Sequence, residues 1–210
     1  MKTEDLIHAL AADGAVRPVS LARAFAIAGA VAVAYAGLVF AIGYGPRPDV
    51  AAAIETVRFP LKVLTVLLFA LGMARVAGRL AQPGASLPVG LAAGAVGLLA
   101  ASVALELFLL PREAWMPALV GTNSLLCLMS IPLLGAGALA ASLLALRQGA
   151  PTRPALAGAA VGLLSGAVGA VFYAVHCPDD SPLFVVTWYS LALALMTGVG
   201  ALAGRLALRW

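Results

Sequence analysis

Charged residues are scarce in this sequence. Asp, Glu, Lys and Arg make up 10% of its 210 residues, whereas 63% are hydrophobic and the mean hydropathy is +1.04. A soluble globular protein has about 25% charged and about 45–50% apolar residues. The chain therefore has too few polar side chains to cover a surface that faces water, and we expect an integral membrane protein. This excludes a soluble enzyme, and it excludes direct binding of nucleic acid despite the net charge of +4.

Residues for catalysis and for structural metal sites are also few. Two cysteines do not suffice for a disulfide framework or a structural zinc site. Ser165 and His176 are eleven residues apart on one predicted helix, so about 16 Å separates them along its axis and they cannot form a catalytic dyad. No paired acidic motif for metal-assisted phosphate chemistry is present either. The sequence therefore predicts a protein that is not an enzyme.

Long apolar runs dominate the chain instead. About 20 apolar residues are needed to cross a bilayer as a helix, and six such runs are present, at 24–44, 61–80, 88–110, 119–146, 155–176 and 184–204. We therefore expect an all-α membrane protein, a bundle of six transmembrane helices. Residues 1–22 form a soluble tail, and residues 23–210 form the transmembrane domain.

The basic residues predict the orientation of this bundle. Lys and Arg are enriched in cytoplasmic loops of membrane proteins. Nine of them fall on the side of the two termini, and four fall on the opposite side. We therefore expect both termini in the cytoplasm. The nine are Lys2, Arg17, Arg23, Arg75, Arg79, Arg147, Arg153, Arg205 and Arg209, and the four are Arg47, Arg58, Lys62 and Arg112.

Small residues recur within the predicted spans at a spacing of four. The positions are Gly158, Gly162 and Gly166, then Gly200 and Gly204, and finally Gly90 and Gly94. Small residues at this spacing allow helices to approach closely in lipid. We expect them to pack helices within one bundle, with dimerisation through the same faces as the less favoured interpretation.

A small six-span transporter or channel is the alternative function class. Transporters usually carry polar or ionisable residues near the middle of the bilayer, and the middles of these spans are nearly bare. Glu106 lies about four residues from the end of its predicted helix, so we expect it to reach the surface by snorkelling. Transport is therefore the weaker hypothesis.

The tail carries the pattern of one short amphipathic helix over residues 4–13. Thr3 is a suitable N-cap, and Asp5 follows in the first turn, where the helix dipole favours negative charge. Leu6, Ile7 and Leu10 form an apolar stripe. A helix this short is marginal alone in water, so the stripe needs a surface to cover it. That surface is either the membrane and the bundle itself or a groove on a cytoplasmic partner.

A second group of residues lies at the outer ends of the fourth, fifth and sixth spans. Cys177 is flanked by His176, Asp179 and Asp180, and Cys127 lies in the outer half of the fourth span. A redox nucleophile is disfavoured, because a helix C-terminus and nearby carboxylates raise the pKa of a thiol. Two roles remain open. The cysteines could form a disulfide, or Cys177, His176 and Asp179 could bind a divalent metal transiently.

Several segments from end to end of the chain share the pattern of one family. They are KTEDLI at 2–7, CL at 127–128, GAPTRPALAG at 149–158, HCPDDSPLF at 176–184, WY at 188–189 and RW at 209–210. With these segments the chain resembles NrsF, negative regulator of sigma F, a family of six-span bacterial membrane anti-sigma factors. The block over 176–189 is specific to the family, whereas the tail segment alone would be weak evidence for it.

This resemblance implies a function that composition and spacing do not provide. It implies a multi-pass protein of the bacterial inner membrane that sequesters an extracytoplasmic-function (ECF) sigma factor and thereby regulates transcription in a stress response. It implies contact through the tail, at Thr3, Asp5, Leu6, Ile7 and Leu10. It further implies that the two cysteines sense an oxidative or heavy-metal signal in the envelope, in the setting of His176, Asp179 and Asp180.

Overall fold

The fold is described from a computed structural model. The structure describes residues 3–5, 7–8, 20–84 and 86–208, and within these residues every regular element is helical. Six helical segments are long and apolar enough to cross a membrane. The prediction of an all-α bundle with six spans is therefore confirmed.

The helices follow one another with short connections. Helices α1, α3, α4, α7 and α8 each supply one span, α5 and α6 together supply the fourth span, and α2 is a short helix between α1 and α3. Residues Val185–Tyr189 within α8 form a π-helical turn. The bounds are α1 Leu21–Gly43, α2 Val50–Ile54, α3 Arg58–Leu80, α4 Gly90–Leu109, α5 Arg112–Val120, α6 Ser124–Leu146, α7 Pro154–His176 and α8 Pro182–Ala207.

The fourth span departs from its prediction. The sequence predicts one helix over 119–146, whereas the structure has α5, a break at 121–123 and then α6. Gly121 ends α5 with a φ of 59°, a conformation that glycine adopts without strain. Phe184 also leaves no space for a side chain here, since a Cβ on Gly121 would lie 2.4 Å from its ring. The break is therefore set by local backbone and tertiary packing together.

Helix α7 occupies the centre of the bundle. It packs most extensively against α8, α6 and α3, whereas α1 packs on α6 and α4 packs on α3. Its length is rich in glycine and alanine, and thirteen of its 23 residues are buried. Small side chains on a central helix allow several neighbours to approach it at once.

Glycines bring α7 and α8 into backbone contact. A Cβ on Gly158 would lie 2.2 Å from the carbonyl oxygen of Gly200, and one on Gly162 would lie equally close to that of Met196. These glycines therefore pack helices within the bundle, as predicted. Gly90 and Gly94 do not take part, because no described atom lies within 4 Å of a Cβ built on either.

The bundle has two ends, termed here the terminal end and the distal end. The terminal end holds Ser20, Leu208 and the loops after α3 and α6, which are joined by a hydrogen bond from the Ala150 N–H to the Ala81 carbonyl. The distal end holds the loops that follow α1, α5 and α7.

The tail helix predicted over 4–13 falls largely outside the described residues. Residues 3–5 and 7–8 are helical, and the side chains of Thr3, Asp5 and Ile7 are exposed. Leu6 and Leu10 lie outside the described residues, so the apolar stripe as a whole stays a prediction.

Candidate functional site

A five-residue loop at the distal end, Cys177 to Ser181, joins α7 to α8 and is termed here the 177–181 loop. Its two limits are fixed by the sequence. Helix α7 ends where the Cys177 N–H donates to the Tyr173 carbonyl at 2.9 Å, because Pro178 has no N–H with which to continue it. Helix α8 begins where the Ser181 hydroxyl oxygen accepts from the Phe184 N–H at 3.5 Å.

Asp179 caps helix α6 from across the bundle. Its carboxylate accepts from the Asn123 N–H at 2.9 Å, from the Asn123 side-chain amide at 3.1 Å and from the Thr122 N–H at 3.2 Å. The side chain of Asn123 makes no capping bond to α6 itself. A carboxylate at a helix N-terminus is favoured by both the free N–H groups and the helix dipole. Asp179 thus fastens the 177–181 loop to the fourth span.

Asp180 lies between two cations from other parts of the chain. One of its oxygens accepts a 2.6 Å hydrogen bond from Arg47, and the other is 2.6 Å from Nζ of Lys62. The side chain of Lys62 is 1% exposed, and that of Asp180 is 16% exposed. Removing the Asp180 carboxylate would leave the nearly dehydrated ammonium of Lys62 without a charged partner, which is costly.

Lys62 also binds the backbone of the same loop. Its ammonium donates to the Cys177 carbonyl at 2.8 Å and lies 3.4 Å from the Asp179 carbonyl. These carbonyls follow the C-terminus of α7, where unpaired carbonyl groups and the helix dipole favour a cation. Lys62 therefore holds α3 against the loop through one carboxylate and two backbone oxygens.

Glu106 is buried, which corrects the expectation that it snorkels to the surface. It is 4% exposed, and one carboxylate oxygen accepts from the Ser181 hydroxyl at 2.8 Å and from the Leu183 N–H at 3.0 Å. The other oxygen lies 3.2 Å from Arg58. The free N–H groups at the start of α8 offer hydrogen bonds that water at the surface would otherwise supply, so the carboxylate turns inward.

The loop after α1 is attached to the same region. Nδ1 of His176 and the carbonyl oxygen of Gly45 are 3.0 Å apart, and the Arg47 N–H donates to the Val175 carbonyl. Arg47 also makes a bidentate pair with Asp49, at 2.7 Å for each hydrogen bond. This pair holds the pKa of Asp49 below its ordinary value and raises that of Arg47. Arg47 therefore stays charged while it bridges the two loops.

Both cysteines are fully buried and carry free thiols. They belong to one apolar cluster at the distal end, together with Tyr173, Phe184 and Tyr189. Burial raises the pKa of the Cys177 thiol, and the positive charge of Lys62 opposes this rise. A raised thiol pKa was predicted from the helix C-terminus and the nearby carboxylates, whereas burial of the thiol is the larger cause.

The predicted metal ligands have separate partners in this structure. Cys177 is buried, His176 faces the Gly45 carbonyl, and Asp179 caps α6. Over the described part of the chain, no three side chains of His, Cys, Asp or Glu are grouped so that they could hold a metal ion. Metal binding by these three residues, like a disulfide between Cys127 and Cys177, stays a prediction.

The residues that hold the loop in place were not predicted as functional from the sequence. Arg47, Arg58 and Lys62 served only as markers of orientation, and Glu106 was taken as exposed. One sign of their role was present, because ionisable residues within or beside apolar spans are costly and usually have a defined partner. No local sequence pattern specifies which helices are neighbours. The pairing of the charged residues therefore could not be predicted.

The fold and the loop together define a class of protein. It is a six-span helical bundle of the membrane type, in which charged residues from three other segments fix one loop at the distal end. These charged residues form a structural network of ion pairs and hydrogen bonds, because each of them holds a neighbouring element.

Comparison with known proteins gives the family. The family model for NrsF, negative regulator of sigma F, matches residues 10–210. The anti-sigma-F factor NrsF of Caulobacter vibrioides is 39% identical over 216 residues, and the probable anti-sigma-F factor NrsF of Azospira oryzae is 37% identical over 214 residues. Both alignments cover 100% of this chain and of the relative. No solved structure matches the chain. The chain belongs to the NrsF family.

Family membership confirms the broad prediction of function. The protein is an anti-sigma factor, so its role is regulatory and not enzymatic, and its partner is a sigma factor. The alternative of a small transporter or channel is accordingly set aside.

Proposed function

We propose that this anti-sigma factor holds an ECF-type sigma factor at the bacterial inner membrane through its tail, residues 1–22. It releases the sigma factor when an oxidative or heavy-metal signal reaches the distal end. The observation that carries this proposal is the full-length similarity to anti-sigma-F factors. The structural features below support its individual parts.

The tail supports the contact with a partner. Ile7 lies in helical backbone, yet 54% of it is exposed. An exposed apolar residue on a short helix gains stability when a groove on another protein covers it. Thr3 and Asp5 at the start of the same helix favour its formation through capping and the dipole. Leu6 and Leu10 complete the proposed contact surface.

The charges of the two ends support the orientation. The described basic residues of the terminal end are Arg23, Arg75, Arg79, Arg147, Arg153 and Arg205, against Arg47, Arg58, Lys62 and Arg112 at the distal end. The positive-inside rule then assigns the terminal end to the cytoplasm, where a sigma factor is found. The distal end, with both cysteines, faces the envelope.

The contacts of the 177–181 loop support its role in sensing. A metal bound by Cys177, His176 and Asp179 would draw His176 from Gly45 and Asp179 from the N-terminus of α6. A disulfide between Cys127 and Cys177 would instead tie α6 to the end of α7. Either event favours one arrangement of the bundle over another, which is what a signal requires. Asp180 restrains the loop against this change through Arg47 and Lys62.

The tail contact is tested with the full-length chain. Leu6→Asp combined with Leu10→Asp places two charges in the apolar stripe. The matched control is His8→Asp combined with Ala12→Asp, which has the same spacing and falls on the opposite face of the helix. The amount of sigma factor that co-purifies with each variant from native membranes is measured, together with the output of a sigma-dependent promoter.

We expect the stripe variant to lose the sigma factor and to express the promoter without any signal, whereas the control behaves as wild type. Because burying two carboxylates in an apolar groove is costly, the loss of binding should be at least about ten-fold. Sigma factor retained equally by both variants would show that the stripe is not the contact.

A further inference from the structure

A cleft opens between α3, α4 and α8 beside the 177–181 loop and is termed here the α3–α8 cleft. It has a volume of about 230 Å³. Leu61, Leu99, Leu105 and Val185 contribute to its mostly apolar wall, and Glu106 and Asp180 also line it. Pockets that bind small molecules combine an apolar wall with a few polar groups that fix orientation. This cleft has that composition.

The hydrogen-bond donors along the cleft already have partners. Lys62 has one oxygen near for each of its three N–H bonds, from Cys177, Asp179 and Asp180. The Thr65 hydroxyl donates to the Leu61 carbonyl, and the Ser102 hydroxyl donates to the Leu98 carbonyl. The buried part of the cleft therefore has no donor left to offer a bound molecule.

Acceptor capacity, by contrast, is left over. Oε1 of Glu106 is buried and receives no hydrogen bond from any described residue. Its nearest described cation is Arg58, at 3.2 Å, whereas Oδ1 of Asp180 is taken up by Lys62 at 2.6 Å. Buried carboxylate oxygens are nearly always hydrogen-bonded. Glu106 Oε1 is therefore the polar atom in the cleft with the least complete set of partners.

Arg58, the cation that pairs with Glu106, is replaceable. The side chain of Arg58 is 54% exposed, whereas that of Glu106 is 3% exposed. Arg58 can turn into water at little cost, because an exposed guanidinium is well hydrated there. Glu106 cannot follow it, since its other oxygen is bound to Ser181 and Leu183. A donor that enters the cleft can therefore take the place of Arg58.

We propose that the α3–α8 cleft binds a cationic amphiphile, a molecule with an alkylammonium head and an apolar chain. The ammonium donates to Oε1 of Glu106 and displaces Arg58, and the chain lies along Leu61, Leu99 and Leu105. The proposal follows from the open acceptor on Glu106, the exposed competing cation and the apolar wall. An anionic amphiphile does not fit, because the open polar atom is a carboxylate oxygen.

Binding here would act on α8, the element that follows the 177–181 loop. The second oxygen of Glu106 holds Ser181 and the first turn of α8, so a ligand on Glu106 bears directly on the end of the 177–181 loop. A role of this ligand as an envelope signal rests on the proposed function. Binding of the ligand does not rest on it, and a binding test requires no sigma factor.

The test uses the full-length chain in nanodiscs of neutral lipid. The probe is a dodecylammonium analogue with a diazirine on its chain, and labelled residues are mapped by mass spectrometry. Competition by unlabelled dodecylammonium, dodecanol and dodecyl sulfate distinguishes the head groups. We expect labelling of α4 near Leu99 and Leu105 that only dodecylammonium suppresses. Equal suppression by dodecanol, or stronger suppression by dodecyl sulfate, would overturn the proposal.

Two substitutions with opposite expected effects sharpen the test. Glu106→Gln should lower labelling about ten-fold through loss of a charge-assisted hydrogen bond, whereas Arg58→Gln should raise it by removing the competitor. Glu113→Gln, a change of the same kind outside the cleft, should leave it unchanged. Arg58→Gln keeps the test decisive if Glu106→Gln does not fold. Reduced labelling in Arg58→Gln would contradict the displacement of Arg58.

Discussion

Lys62 shows how much of the distal end depends on single charged residues. Its ammonium is nearly without contact to water and joins α3 to one carboxylate and two carbonyls of the 177–181 loop. Such an ion pair is often no better for stability than a well-packed apolar pair, yet its disruption is costly. In this structural network, each buried charge therefore depends on the others for its compensation.

We expect Lys62→Met to lower the free energy of unfolding by about 3–5 kcal/mol, because it leaves Asp180 with Arg47 alone and two carbonyls without a donor. Arg75→Met is the matched control, since it removes the same charge from an exposed position on the same helix. Unfolding in detergent, followed by circular dichroism, measures the difference. Equal stability of the two variants would mean that the buried ammonium does not hold the loop.

The location of these charges could not be predicted, although their presence could. Lys62 and Glu106 are visible in the sequence as ionisable residues near the ends of apolar runs. Their separate partners in the 177–181 loop depend on α3 and α4 lying beside the start of α8, which no local pattern specifies. Cys127 and Cys177 were placed at the same end of the bundle because that required only the order of the spans.

At the scale of elements, the glycines of α7 and α8 determine how closely two helices pack. The span limits were predicted to within three residues, because apolar length alone sets them, except that the fourth span begins at Arg112 and was predicted to begin at 119. The break between α5 and α6 was missed, since it depends on Gly121 and on the cap that Asp179 supplies from another loop. The spacing of the glycines was also insufficient by itself, because Gly94 follows the pattern of Gly158 without its contact.

That difference gives a matched pair of substitutions. Gly158→Ala would place a Cβ 2.2 Å from the Gly200 carbonyl oxygen, so α7 and α8 must separate. We expect this to lower the free energy of unfolding by about 1–3 kcal/mol. Gly94→Ala meets no described atom within 4 Å and should raise stability slightly through helix propensity. Thermal unfolding in detergent compares the two, and a Gly158→Ala protein as stable as wild type would show that the close contact is dispensable.

At the scale of the whole molecule, the proposed signal and the proposed output lie at opposite ends. A helix of 23 residues such as α7 is about 35 Å long. A change in the 177–181 loop must therefore be carried along the bundle to the tail. Helices α7 and α8 suit this task, because they flank the loop directly and their backbones are in contact over the half nearer the terminal end, at Gly158, Gly162 and Gly200. We therefore expect such a pair to move as one unit and to pass a displacement at the distal end to the terminal end.

Because the proposed signal and the proposed output lie at opposite ends of the bundle, binding of the sigma factor and the response to the signal should be separable by mutation. Replacing both Cys127 and Cys177 with Ser should leave the sigma factor bound, since the tail is unchanged, and should abolish its release by oxidant or heavy metal. Ser130→Ala is the matched control, because it alters a buried polar residue one turn from Cys127 and keeps both thiols.

The response of a sigma-dependent promoter to oxidant or metal is compared among the variants. Replacement of both cysteines with Ala is included as a second variant, because it adds no buried hydroxyl. A normal response without the two thiols would assign sensing to another part of the distal end, whereas loss of sigma binding would mean that the cysteines support the fold and not the signal.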